Sequence, residues 1–330
     1  AAPDLQLRAL KGRIATGDAG WTLTGLHAQT ASSTFTIDAA IPGRGAPSFH
    51  LNTSATSFAF QEWGGIVHGL TNIAVKAAFE AELAGPPSAL QTRIALRSDG
   101  GDVEATVRLD STVPGWHAQG DASVRRLDLA RWLNRADRAS DITGDATVDV
   151  DLQLGGHFPR GAFSFNGAHA AYLEYEADDV RTSGRLTDDA VELAATTATA
   201  YGANVRLQDG RVGLDAPYAY RFAGRADGID LRQLPATVPV PHVESTLVFD
   251  FDASGRFDHP FITGRAAFAD STFLDARLDG GATGAVDTSV TPVAYSGEGT
   301  LHGVDLHRFG NDLRMAWLAD RKSTRLNSSH

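Results

Sequence analysis

The chain has 330 residues, 42% of them hydrophobic, and no cysteine, so burial of apolar side chains has to stabilise it without disulfides. Its formal net charge is -11, and its Lys and Arg residues are not clustered with aromatic residues, which argues against nucleic acid as a partner. No apolar run approaches the roughly 18 residues of a membrane-spanning helix, and the first residues lack the basic and apolar parts of a signal peptide.

Alternating apolar and polar residues predict β-strands along most of the chain. FTIDAAI is an early example, and in NIAVKAAFEAEL the residues Ile73, Val75 and Phe79 fall on one side of an extended chain. DVEATVRLD continues the pattern after the turn SDGGD. Turns rich in Gly, Asp and Ser separate these segments and predict antiparallel hairpins.

Helical signals are few. In LDLARWLNRAD, Asp128 is placed to cap a short helix of about ten residues. Asp230 is placed to cap a single turn that Pro235 ends. The sequence therefore predicts an all-β, mainly antiparallel fold with one short helix.

Two later segments, GDATVDVDLQLGG and STLVFDFDASG, show the alternation most clearly. Each predicts a strand with one apolar face and one face rich in aspartate. The apolar residues are Val148, Val150 and Leu152 in the first segment, and Leu247, Phe249 and Phe251 in the second.

A longer repeat is also visible. TVDVDLQLGG begins at Thr147 and TLVFDFDASG at Thr246, and nearly the same spacing separates Asp128 from Asp230 in the phrases GDASVRRLDLARWL and GRADGIDLRQLP. A third phrase, GEGTLHGVDLHRFG, follows after a shorter interval around Asp305. We therefore predict a repetitive sheet with units at roughly 1–140, 141–240 and 241–319.

The carboxyl-terminal segment 320–330, DRKSTRLNSSH, resembles a translated sequencing-library adapter. We expect it to be a non-native tail, which belongs outside any argument about the fold. The chain also lacks an initiator methionine. Both features predict that the sequence is a fragment of a longer protein.

Motifs that carry chemistry are weak. DFDASG has the opening spacing of a calcium loop, but its twelfth position is Phe261 instead of a bidentate acid, so we interpret Asp250 and Asp252 as strand residues. His302 and His307 lack metal-site spacing and are expected at the surface or in turns.

Paired carboxylates give no better site, because adjacent residues on a strand point to opposite faces. We interpret Asp178/Asp179 and Asp188/Asp189 as turn residues. No nucleophile elbow, phosphate loop or dinucleotide fingerprint is present. The sequence predicts that the protein is not an enzyme and binds no metal or cofactor.

The order of these motifs resembles the AsmA-like and TamB-type envelope proteins of Gram-negative bacteria. The resemblance covers about 70–309 and depends on the three Asp-Leu phrases and on two blocks, LAGPPSALQTRIALRSDGGDVEATVRLD and TATAYGANVRLQDGRVGLDAPYAYRFAGRADGIDL. It implies a long sheet curled into a taco-like hydrophobic groove. The chain departs from the family by lacking the amino-terminal anchor and the terminal domain that meets the outer membrane, and truncation would explain both.

The resemblance also implies a function. Members of the family carry phospholipids between the inner and outer membranes or support outer-membrane assembly, so it implies periplasmic localisation, phospholipid acyl chains as ligands, and inner- and outer-membrane proteins as partners. A continuous apolar trough lowers the cost of exposing acyl chains to water without any catalytic residue. The expected groove residues are Ile73, Val75, Phe79, Val148, Val150, Leu152, Leu247, Phe249 and Phe251.

Two alternatives remain open. The apolar stripes are also compatible with the closed core of an ordinary β-sandwich. A carbohydrate-binding or carbohydrate-active β-solenoid would show a repeat of 20–30 residues and a patch of acids with exposed aromatic residues.

Overall fold

The computed structural model describes residues 6–18, 20–43, 48–65, 70–153, 158–238, 240–256 and 261–313. The predicted tail at 320–330 lies outside these residues. The chain forms two compact units, residues 1–189 and 190–330. This division does not test the predicted repeat units, which stay a prediction.

The first unit is an antiparallel meander in which each strand pairs with the next strand along the chain. Register shifts interrupt several of these pairs, and β-bulges of this kind bend a strand and increase its twist. The described strands are β1 Ala9–Gly17, β2 Gly20–Gln29, β3 Thr34–Pro42, β4 Phe49–Ala59, β5 Lys76–Gly85, β6 Leu90–Ser98, β7 Gly101–Asp110, β8 His117–Leu127, β9 Ser140–Asp151, β10 Arg160–Tyr172 and β11 Tyr175–Leu186.

The second unit begins as the same kind of meander, from β12 to β16, and then branches. Its described strands are β12 Ala190–Ala200, β13 Ala203–Gly213, β14 Ala219–Ile229, β15 Ser245–Arg256, β16 Phe261–Phe268, β17 Ser271–Phe273, β18 Ala276–Leu278, β19 Thr283–Asp287, β20 Ala294–Glu298 and β21 Leu301–His302.

The branch point is β15. Its stretch from Phe249 to Arg256 pairs with β16, whereas Ser245 and Thr246 pair with β17. One branch continues from β16 to β19 and β20, and the other continues from β17 to β18 and β21. All these pairs are antiparallel, so the expected all-β, mainly antiparallel class is confirmed.

Helical segments in the described residues are short. They are α1 Leu129–Leu133, α2 Leu306–Asp312 and the 3-10 turns Phe60–Trp63, Ala136–Arg138 and Leu231–Gln233. The prediction of a single helix missed α2. The first helix is also shorter than expected, because Asn134 adopts a left-handed conformation with φ 51 and ends it after five residues.

Each Asp-Leu phrase forms the same local structure. The aspartate carboxylate accepts a backbone N–H of the following turn, as expected for a helix cap. Two residues earlier the backbone has a positive φ that redirects the chain into the turn. The pairs of redirecting residue and cap are Arg126 and Asp128, Gly228 and Asp230, and Gly303 and Asp305.

A serine on the following strand completes the first two of these turns. Ser140 Oγ accepts the N–H of Leu129 at 2.8 Å and donates to the carbonyl of Leu127 at 3.0 Å. Ser245 Oγ makes the equivalent bonds, to Leu231 N at 2.9 Å and to Ile229 O at 3.3 Å. We call each Asp and Ser pair, Asp128/Ser140 and Asp230/Ser245, an Asp–Ser clasp.

Three local expectations were wrong. Ile73 and Val75 precede β5, since the backbone N–H of Ala74 bonds to the carbonyl of Trp132 instead of to a neighbouring strand. Leu152 follows the end of β9. Asp178 and Asp179 lie within β11, where Asp178 pairs with His169 of β10 and Asp179 has a φ of 51. Asp188 and Asp189 lie in a bend after β11, as expected.

Candidate functional site

The candidate site is one side of the sheet in the first unit. Cross-strand register aligns apolar residues over eight consecutive strands, from β3 to β10, with Thr92 as the one hydroxyl among them. We call the side that carries this row the apolar face. The row is Ala39, Leu51, Leu83, Thr92, Val107, Gly120, Val148 and Phe163.

The opposite side of the same strands is polar. Its nearest row consists of exposed or half-buried polar and charged residues, because successive side chains of a strand alternate between the two sides. We call this side the polar face. The row is Asp38, Asn52, Glu82, Arg93, Thr106, Asp121, Thr147 and Ser164.

Alanines on the two faces differ in solvent exposure although their side chains have the same size. Ala39 and Ala77 on the apolar face are 8% and 2% exposed, whereas their neighbours Ala40 and Ala78 on the polar face are exposed. The strands of the first unit mainly contact their sheet neighbours, and no second sheet covers the apolar face among the described residues. Neighbouring side chains on the same face therefore bury these alanines, as on the inner side of a curled sheet.

Two glycines allow the strands to approach this closely. A Cβ on Gly120 would lie 2.2 Å from the carbonyl oxygen of Thr106, and one on Gly224 in the second unit would lie 2.1 Å from that of Arg206. No other residue fits at either position without displacing the neighbouring strand. Both glycines open an Asp-Leu phrase, so the phrase combines a close strand contact with a capped turn.

The predicted groove residues of the first unit separate into two groups. Phe79, Val148 and Val150 lie on the apolar face, where Phe79 and Val148 stay partly exposed and Val150 is 5% exposed. Val75 is 4% exposed and lies with Trp132 beside Gly100, in a closed contact. Ile73 and Leu152 are half-buried beyond the strand ends.

In the second unit, the predicted residues all lie on β15. Leu247 is 7% exposed and is buried with Ala203, Ala226 and Ile229. Phe249 and Phe251 are partly exposed and pack against this cluster, with their ring centroids 6.1 Å apart. Leu247 is thus a core residue, and the two phenylalanines form the accessible surface.

An aromatic cluster at one end of the apolar face was not predicted. Phe58 stacks on Trp63 with ring centroids 5.5 Å apart, and its ring meets Phe79 edge to face at 5.2 Å. Phe35 packs edge to face against Trp63 at 5.3 Å. The density of aromatic residues in SFAFQEW was the available signal.

Glu62 fixes the turn that carries Trp63. Its carboxylate accepts hydrogen bonds from Thr30 Oγ1 at 2.6 Å, Ser33 Oγ at 2.7 Å and Ser32 N at 2.7 Å. Burial raises the pKa of Glu62, but these hydrogen bonds outweigh burial and leave the pKa below its ordinary value. No sequence signal links two segments about 30 residues apart in this way.

The polar face contains a shallow trough of about 920 Å³. Its described lining includes the carboxylates Glu80, Glu82, Glu104 and Asp145 but no aromatic residue. A carbohydrate site would be expected to combine acids with exposed aromatic rings. The trough therefore does not favour the carbohydrate-binding alternative.

Charged residues of the remaining motifs have charged partners. Asp252 accepts a bidentate interaction from Arg221, and Asp250 lies 3.4 Å from Arg225. His302 Nε2 lies 2.7 Å from Asp279. No group of three or more potential metal-ligating side chains occurs in the residues that the structure covers.

None of the described helices is both long and apolar enough to cross a membrane. The apolar face is instead a surface of strands, with its polar counterpart on the other side of the sheet. Comparison with known proteins adds no relative: no family model, no curated protein and no solved structure matches the chain.

Proposed function

We propose that the apolar face binds the acyl chains of phospholipids and that the chain is a segment of a periplasmic conduit between the inner and outer membranes. The observation that supports this is the row from Ala39 to Phe163, which crosses eight strands and is sheltered but not covered. The resemblance to AsmA-like and TamB-type proteins agrees with it.

Transfer free energy explains why such a surface is useful. A methylene group in water costs about 0.8 kcal/mol, so a 16-carbon chain costs roughly 12 kcal/mol outside a bilayer. A face that offers aliphatic contacts at every strand, spaced about 4.8 Å apart, lowers this cost continuously along the path. Transport along it is passive and requires neither a catalytic residue nor a cofactor.

Neighbouring positions on β9 allow a matched test. Val148→Asp places a charge on the apolar face, and Thr147→Asp places the same charge one residue away on the polar face. The full chain and both variants would be purified from bacterial periplasm, and bound lipid measured by native mass spectrometry and extraction.

We expect the wild type and Thr147→Asp to carry phospholipid. Val148→Asp should lose it at least about tenfold, because a bound acyl chain would bury the new charge. Far-UV circular dichroism would confirm that all three are folded, and Val148→Asn replaces the charged variant if it does not fold. A folded wild-type protein without lipid would overturn the proposal and favour a closed core.

A further inference from the structure

Two side-chain donors on the apolar face are buried without a hydrogen-bond partner in the part of the chain that the structure describes. They are Thr92 Oγ1 and Trp63 Nε1. A buried polar group without a partner is rare in folded proteins and costs stability. Their presence on an otherwise apolar surface therefore requires an explanation.

Thr92 lies near the middle of the apolar face, on β6. Thr92 is 8% exposed, and Leu83 and Val107 lie directly opposite it on the neighbouring strands. On its own strand, the next residues on the same side are Leu90 and Ile94. A valine would fill the same space without a hydroxyl, so packing alone gives no reason for a threonine at this position.

The indole N–H of Trp63 lies at one end of the same face. Its ring stacks on Phe58 and packs edge to face against Phe35, and it packs against the buried cluster of Ala28, Phe35 and Ala55. An indole N–H only donates hydrogen bonds. Because a hydroxyl can also donate, both groups match a ligand that offers acceptors.

We propose that Thr92 donates a hydrogen bond to an ester carbonyl oxygen of a diacyl lipid, so that the apolar face selects acyl esters over plain hydrocarbon chains. Trp63, beside Phe58 at the end of the face, is too far from Thr92 to bind the second ester of the same lipid. The inference rests on the proposed function and specifies its ligand. A phosphate group also accepts hydrogen bonds, but its charge is costly on an apolar surface, whereas an ester is neutral. Leu83 and Val107 contact the chain on either side of the carbonyl.

The test compares two lipids that differ only at the carbonyl groups. Diacyl phosphatidylcholine and its dialkyl ether analogue of equal chain length would each displace a fluorescent fatty acid from the full chain. We expect the wild type to bind the ester lipid about three- to tenfold more tightly, the range that a neutral hydrogen bond supplies. Thr92→Val should lose this preference with its ether-lipid affinity unchanged, and Thr92→Ser should keep it.

Thr106→Val is the matched control, since Thr106 is exposed on the polar face of the adjacent strand. It should retain the preference for the ester. Equal affinity of the wild type for both lipids would overturn the inference and leave the proposed function in place. Failure of both lipids to displace the probe would overturn the proposed function as well.

Lipid-free protein provides a second readout. Replacing an unpaired buried hydroxyl by a methyl group should raise the Tm of Thr92→Val by about 2–4 °C. A lower Tm would mean that the hydroxyl already has a partner and would overturn the inference.

Discussion

Two apolar regions differ in how far their side chains are exposed, although they are built from the same residue types. One is the closed cluster around Leu274 in the second unit, and the other is the apolar face of the first unit. Val243, Leu274 and Ala276 are between 0% and 4% exposed because Phe309 of α2 packs against them. On the apolar face, Phe79 and Val148 remain partly exposed. In the second unit, a residue of a capped helix thus completes a closed cluster, whereas in the first unit α1 places Trp132 beside Gly100 and Val75.

The largest loss of stability is expected when a leucine is removed from the closed cluster. Leu274→Ala should lower the free energy of unfolding by about 3 kcal/mol, because it leaves a cavity among buried side chains. Leu83→Ala on the partly exposed row should cost only about 1 kcal/mol. Urea denaturation of both variants measures the difference, and equal losses would show that the apolar face is as closed as the cluster.

The Asp–Ser clasps should show a smaller difference in the same direction. Ser245 is 5% exposed, whereas Ser140 is half-buried. Ser245→Ala should cost about 2 kcal/mol and Ser140→Ala about 1 kcal/mol, because a lost hydrogen bond is more costly where water cannot replace it. Exposed Ser88 supplies a Ser→Ala control, and a larger loss at Ser140 would contradict the comparison.

The smallest effect is expected at a cross-strand ion pair. His169 Nδ1 lies 2.7 Å from Asp178 Oδ1, and this hydrogen bond raises the pKa of His169 above its ordinary value of 6.5. Asp141 and Glu176 raise it further, and burial opposes them. A raised folded-state pKa means that the stabilisation is fully present below pH 6.5 and is lost as the pH rises through the folded-state pKa.

The contribution should be less than about 1 kcal/mol, because both side chains are substantially exposed. His169→Gln removes the titrating group. Its Tm should therefore change less than that of the wild type between pH 5.5 and pH 8. Parallel curves for the two proteins would show that the pair contributes nothing measurable.

Period-two alternation predicted the strands that carry Phe79, Val148, Phe249 and Phe251, but it extended two of them too far, to Ile73, Val75 and Leu152. The caps at Asp128 and Asp230 were predictable for a similarly local reason, because a cap bonds to its own turn. Alternation did not reveal that Val75, Val150 and Leu247 are closed off, since burial depends on residues far away in sequence.

Contacts between distant segments account for the features that were missed. Ser140 and Ser245 bond to backbone groups 11 to 16 residues earlier, and nothing local distinguishes them from other serines. Glu62 bonds to residues 29 to 32 positions away. The unpaired hydroxyl of Thr92 depends on strand register, which defines its neighbours Leu83 and Val107.

The branch at β15 divides the molecule into regions with different folding requirements. In the first unit, every strand pairs with its predecessor, often across a turn of two residues as between β6 and β7, so its contact order is low and strands can add in the order of synthesis. In the second unit, β16 pairs with β19, and the connection between them forms β17 and β18 of the other branch. The two branches have to form together, whereas the strands of the first unit can add one at a time. The branched end should therefore be the last part of the chain to fold.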